Sequence, residues 1–189
     1  QTRAEPVTAS YHGLQVEVDA DYVAEMVRRE MLDRFGNGAY NDGYVVHTSI
    51  DSDMQKAAQE AVISGLMTYD RRHGWRGPER QLPPKADETA EQTAARWREA
   101  LDNMPVIAGI PPAIVTAVDE KGVNVLDKSG EVRRLSWQGD LDTIRRFRTE
   151  NATSPPENTT ADLLSPGDLI RIQSTGDNAV WRLSQIPRA

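Results

Sequence analysis

The run Pro111-Pro-Ala-Ile-Val-Thr-Ala-Val-Asp-Glu-Lys-Gly-Val-Asn-Val-Leu-Asp-Lys-Ser-Gly-Glu-Val-Arg-Arg-Leu-Ser-Trp137 decides the fold. Its apolar residues, Ile114 and five valines among them, stand in short groups, and polar turn residues separate the groups. Ala113–Val118 reads as one strand. Asp119–Lys121 turns into a second, Gly122–Leu126, and Ser129-Gly130 turns into a third, Val132–Trp137. Three strands joined by tight turns form an antiparallel meander.

Toward the C-terminus a polar connection covers residues 138–165. It holds one short expected helix, Leu141–Phe147, and a loop rich in Asn, Thr and Pro, Asn151–Thr160. Pro166-Gly167 then turns into Asp168–Gln173, and Gly176-Asp177-Asn178 into Ala179–Ile186. Five strands in the order hairpin, hairpin, long crossover, hairpin match a Greek-key OB-like barrel.

Toward the N-terminus the periodicity becomes helical. Leu14–Val18 alternates as a half-buried strand. Val23, Met26, Val27, Met31 and Phe35 follow at helical spacing, with Asp19 or Asp21 as the expected cap and Gly36 as the stop. Asn41-Asp42-Gly43 is a turn signal, and Tyr44–Ile50 reads as a second strand. Asp51 or Ser52 would cap a second helix whose apolar face is Met54, Ala58, Ala61, Val62, Leu66 and Tyr69. The prolines and glycines of 73–88 mark a connection, and a third helix is expected over Glu88–Asn103. The expected class is therefore α+β: a five-stranded Greek-key OB-like β-barrel preceded by a strand–helix–strand–helix linker segment. Its divisions are 1–72 (linker), 73–110 (connection with one helix) and 111–189 (barrel).

Composition narrows the function. The 189-residue chain can bury a sizeable core. A net charge of −7 argues against a phosphate-backbone binder, so no nucleic-acid partner is expected. With no cysteine, disulfides, thiolate metal sites and cysteine nucleophiles drop out. No run of about 18 apolar residues exists, so no membrane-spanning helix is expected. The chain opens in a polar segment and stops after a strand-like run, and both ends are read as cuts through a longer protein.

The search for chemistry is empty. No Ser-x-x-Lys, Gly-x-Ser-x-Gly or Lys-Thr-Gly acyl-transfer signature occurs, and no P-loop. His12, His47 and His73 are scattered and form no metal-binding pair. No catalytic residue, metal or cofactor is expected. Trp137 and Trp181 read as core or barrel-end residues. One local charge feature stands out: Arg133 and Arg134 on the third strand, with Arg145, Arg146 and Arg148 in the long connection. Such a basic cluster can meet an anionic partner, or can be a solvated face balancing nearby acids.

Several phrases, in order, carry a resemblance. These are Tyr22-Val-Ala-Glu-Met-Val-Arg-Arg-Glu30, Asp42-Gly-Tyr-Val-Val-His-Thr-Ser-Ile-Asp51 and Gln55-Lys-Ala-Ala-Gln-Glu-Ala-Val62. The most specific is Tyr69-Asp-Arg-Arg-His-Gly-Trp-Arg-Gly-Pro-Glu79, and Leu164-Ser-Pro-Gly-Asp-Leu-Ile170 and Trp181-Arg-Leu-Ser-Gln-Ile-Pro187 complete the series. From about residue 14 to 187 the chain resembles the linker and OB-like insertion of class A penicillin-binding proteins, the 1A type in particular. That resemblance implies a bifunctional peptidoglycan glycosyltransferase and DD-transpeptidase, anchored in the bacterial inner membrane with its domains in the periplasm. Neither set of catalytic residues would lie in this chain.

The expected role is then a non-catalytic docking and spacing module. The resemblance implies an outer-membrane lipoprotein activator as partner, with Arg133, Arg134, Arg145, Arg146 and Arg148 as contact candidates. Direct binding of peptidoglycan and a purely architectural role stay open. Cut from its neighbours, the linker would show partial disorder, or would dimerise through its exposed helices.

Overall fold

The computed structural model describes residues 17–175 and 180–188. The chain divides into two compact units, residues 1–62 and 63–189. The first unit contains α1, Asp21–Phe35, and the short α2, Gly38–Asn41. A long helix, α3, runs over Ser52–His73. The expected Asp19 or Asp21 cap is not used. Ala20 occupies the N-cap without a side-chain bond, and Asp21 sits in the first turn, where it only complements the helix dipole. Gly36 ends α1 as expected, with φ at 55° and its N–H donating to the Leu32 carbonyl at 2.8 Å. Asp51 caps α3, its Oδ1 accepting from the Asp53 and Met54 amides at 3.1 and 2.9 Å.

Two expected strands need correction. Leu14–Val18 lies largely outside the described residues, and Glu17 and Val18 join no ladder. Tyr44–Ile50 takes no regular secondary structure and pairs with nothing among the described residues. A β-branched run selects extended backbone, whereas a strand also needs a neighbour to share its hydrogen bonds. Phe35 and Tyr44 stack at 4.4 Å between ring centroids, yet no residue from 17 to 62 is buried. Tyr22 is 89% exposed and Met26 65%.

The second unit is an OB-like antiparallel sheet and its supports. Its strands are β1 (Arg80–Gln81), β2 (Pro112–Asp119), β3 (Gly122–Asp127), β4 (Val132–Ser136), β5 (Arg145–Thr149), β6 (Ala152–Pro156), β7 (Asp168–Thr175) and β8 (Val180–Ser184). The meander β2–β3–β4 forms as the sequence predicts. The main sheet runs β1-β7-β2-β3-β4, and β8 pairs with the far half of β7. β4 and β8 pack together without forming a ladder among the described residues, so the OB-like sheet is not closed by hydrogen bonds.

The central strands of the main sheet, β2, β3 and the first half of β7, are buried on both faces. Val115, Val123, Val125, Leu135, Ile170 and Ile172 fill the barrel. Ile114, Leu126 and Leu169 point the other way, against Trp97 and Leu101 of α4, Ala90–Asp102. This is why Ile114-Val115 and Leu169-Ile170 read as continuous apolar pairs rather than as alternation. A capping box starts α4: Thr89 Oγ1 accepts from the Gln92 amide at 3.2 Å, and Gln92 Oε1 from the Thr89 amide at 2.8 Å. The Trp97 indole N–H donates to the Leu82 carbonyl at 2.8 Å.

The long connection departs from expectation. Leu141–Phe147 is no helix: a 3₁₀ turn covers Leu141–Thr143, then β5 begins. The expected loop Asn151–Thr160 contains β6, which pairs with β5 in a separate two-stranded sheet. Seven residues cannot nucleate a stable helix alone. Trp75 instead takes the backbone, its N–H donating to the Arg145 carbonyl at 2.7 Å and its carbonyl accepting from the Phe147 amide at 2.9 Å.

The stretch 69–79 is a structural knot. Arg76 donates to Asp70, which is 2% exposed, at 2.5 Å and to the Ile186 carbonyl at 2.6 Å. Gly74 has φ near 90°, and a methyl there would press on the Arg145 carbonyl. Glu79 reaches β7, where the Arg171 guanidinium donates to its two oxygens at 2.8 and 3.2 Å. Arg171 is 2% exposed, and it also donates to the Pro105 and Ile110 carbonyls at 2.7 and 3.2 Å.

Two outcomes follow. Arg171→Ala strands Glu79 and two carbonyls, and urea denaturation is expected to show a loss of about 3–5 kcal/mol; a loss near zero would remove Arg171 from the core of this account. Amide exchange measured on dilute protein is expected to be fast over 21–50 and slow over 113–126. Equal protection of both segments would contradict the burial pattern.

Candidate functional site

The five arginines expected to form one patch are divided between two sheets. Arg133 and Arg134 lie on β4 of the main sheet, and Arg145, Arg146 and Arg148 on β5 of the small one. Three of them are committed within the fold. Arg133 Nε donates to Asp127 Oδ2 at 2.8 Å, its guanidinium also pairs with Glu131, and it lies 4.9 Å from the centre of the Trp181 ring. Burial works to raise the Asp127 pKa. Hydrogen bonds from Ser129, Arg133 and the Glu131 amide outweigh it and hold the carboxyl below its ordinary range. Arg134 donates to Asp119 at 2.5 Å and to Asn124 at 3.0 Å. Arg146 donates to Glu157 at 2.7 Å and to the Asp162 and Leu163 carbonyls, with its guanidinium 5.4 Å from the Trp75 ring centre. Arg145 and Arg148 are exposed and make no ion pair among the described residues.

A cleft of about 550 Å³ opens between the end of α3, the 3₁₀ turn and β8. Met67, Trp75 and Leu183 are buried and form its apolar floor. Asp140 and Ser184 stand in its wall. Ser184 is 8% exposed, and its Oγ has no hydrogen-bond partner among the described residues. Burial lifts the Asp140 carboxyl to about 6, against a weak bond from the Leu183 amide at 3.4 Å and the attraction of Arg182 and Arg71. At the rim lie the exposed Arg71, Arg72, Arg145 and Arg182.

Of these cleft residues, sequence reading picked out only Arg145 as a site candidate. Arg71-Arg72 and Arg182 were visible inside the most distinctive phrases. Asp140 and Ser184 carry no local signal, because only the fold brings residues 70, 140 and 184 to one place.

The Asp140 environment sets a pH dependence. The folded-state value of about 6 exceeds the ordinary 3.8, so the folded state holds the proton more tightly. Ionisation therefore opposes folding as pH rises through about 4 to 6. Asp140→Asn removes that opposition while keeping the shape. Its melting temperature is expected to match the parent at pH 4 and to exceed it by about 2–4 °C at pH 7. A gap that shrinks as pH rises would contradict the assignment.

A family model described as "Penicillin-binding protein OB-like domain" matches residues 75–189. Penicillin-binding protein 1A of Pseudomonas aeruginosa is 40% identical over 185 residues, 98% of this chain and 21% of that protein. Penicillin-binding protein 1A of Escherichia coli is 35% identical over 187 residues, 99% of this chain and 21% of the relative. The crystal structure of penicillin-binding protein 1A from Haemophilus influenzae superimposes with a TM-score of 0.66 at 35% identity, covering 97% of this chain and 24% of that one. The chain thus spans about a fifth of the length of the curated relatives it matches. With its barrel matched from Trp75 to the end and its linker aligned as well, the chain belongs to the penicillin-binding protein OB-like domain family.

Proposed function

We propose that this chain is a non-catalytic docking and spacing region of a bacterial bifunctional peptidoglycan synthase. It would sit in the periplasm, as part of a protein anchored in the inner membrane, and receive an outer-membrane lipoprotein activator. The observation that carries the reading is the β5–β6 hairpin. It stands as its own sheet beside the well-packed main sheet and bears two exposed arginines with no ion pair among the described residues, Arg145 and Arg148. Loops and hairpins on a rigid scaffold are where binding groups are commonly presented. Arg133, Arg134 and Arg146 support the reading indirectly, by fixing the strands and the 157–163 segment beside the hairpin.

A second reading, direct binding of a glycan, rests on a groove of about 490 Å³ where Trp137 lies beside Asp119, Asn158 and Thr159. An aromatic face with amide, hydroxyl and carboxylate neighbours suits a sugar ring. Pull-down with purified sacculi tests it, and a Trp137→Ala variant would lose the signal.

Calorimetry with the activator at two salt concentrations tests the docking reading. Arg145→Ala with Arg148→Ala is expected to weaken binding about tenfold at low salt and less at high salt. Unchanged affinity in the double variant would remove the hairpin from the interface. No saturable heat at high micromolar protein would remove the docking role.

A further inference from the structure

The cleft beside Trp75 has an excess of positive charge in a chain whose net charge is −7. The Asp70 carboxylate is occupied by Arg76, which leaves Asp140 as the unpaired acid in the lining. Lining the same cleft are Arg71, Arg72, Arg145 and Arg182; among the described residues Arg71 donates to the neutral Gln173 amide, at 3.1 Å. The other three make no ion pair among the described residues. A hidden, unpartnered hydroxyl is rare, because burying one without a partner costs about 1–3 kcal/mol. Ser184 Oγ is such a group, and it sits in the wall of this cleft.

From these features we infer that the cleft is a binding site for a short acidic peptide segment. Carboxylates of the peptide would lie among the rim arginines, whose planar guanidinium groups suit them. Backbone amides would donate to Ser184 Oγ and to Asp140, and one apolar side chain would rest on Trp75 and Leu183. The volume falls in the range of ligand sites, about 300–1,000 Å³. A compact polyanion such as phosphate is disfavoured by the Asp140 carboxylate inside the wall. A neutral glycan would leave the four arginines unused. The site stands apart from the hairpin docking reading except for the shared Arg145.

The test is a two-dimensional NMR titration of the whole chain with an acetylated pentapeptide bearing two glutamates and a free C-terminus. Saturable amide shifts are expected at 72–75 and 182–185. Arg72→Ala combined with Arg182→Ala should weaken binding at least tenfold with the amide spectrum of a folded chain retained, and Ser184→Ala about threefold. Arg148→Ala should leave peptide binding as it was, and the Arg72/Arg182 double variant should leave activator binding as it was, which separates this site from the docking surface. The inference is overturned if the matching glutamine peptide with an amidated end binds as well, if inorganic phosphate or a chitin oligomer shifts the same amides as strongly, or if the acidic peptide produces no saturable shift by about 5 mM.

Discussion

Everything in the barrel unit hangs on β7. This one strand pairs with β1, β2 and β8, and so joins the connection, the meander and the final hairpin. Its side chains serve both faces: Ile170 and Ile172 fill the barrel, and Leu169 meets α4. Arg171 sits between those apolar neighbours as a buried cation. A lone charge there would be prohibitive, and it is tolerated because Glu79 and two carbonyls surround the guanidinium. The same contacts fix the course of 75–110 over the sheet. Arg171 therefore acts less as a source of net stability than as a device that makes one arrangement of the connection far better than the others.

Electrostatics in this molecule sorts arginines into two kinds. Arg133, Arg134, Arg146 and Arg171 are paired with named carboxylates and, in several cases, stacked on a tryptophan or bonded to carbonyls. Arg72, Arg145, Arg148 and Arg182 are exposed and make no ion pair among the described residues. The second kind carries the binding readings, since a guanidinium already neutralised by its own fold has little left for a ligand. Counting basic residues along the chain cannot make this distinction; the partners come from positions as distant as Arg171 and Glu79.

The meander was fully legible from Ala113 to Trp137, because each of its turns and pairings is local. The three long helices were legible from their spacing, and Gly36 and Asp51 from capping chemistry. Three things were not. The strand at Tyr44–Ile50 depended on a neighbour that its own residues cannot specify. The helix expected over Leu141–Phe147 had the right apolar spacing, but Trp75 takes the amide and carbonyl that a helix would use. β1 is two residues long, and it exists only because Glu79 and Leu82 donate backbone hydrogen bonds to Leu169 and Gly167. Of the candidate residues, Arg145 and Arg148 were named from the sequence, and Asp140 and Ser184 carried no local signal. The resemblance identified the family, and family membership alone does not say which arginines are free.

The central proposal is that the OB-like sheet unit presents the β5–β6 hairpin to a partner. Hydrogen exchange read by mass spectrometry, with and without the lipoprotein activator, tests it most directly. The account predicts new protection confined to residues 145–156, with 113–126 already protected in the free chain and unchanged on binding. Protection appearing over 21–50 instead, with the hairpin unaffected, would contradict it.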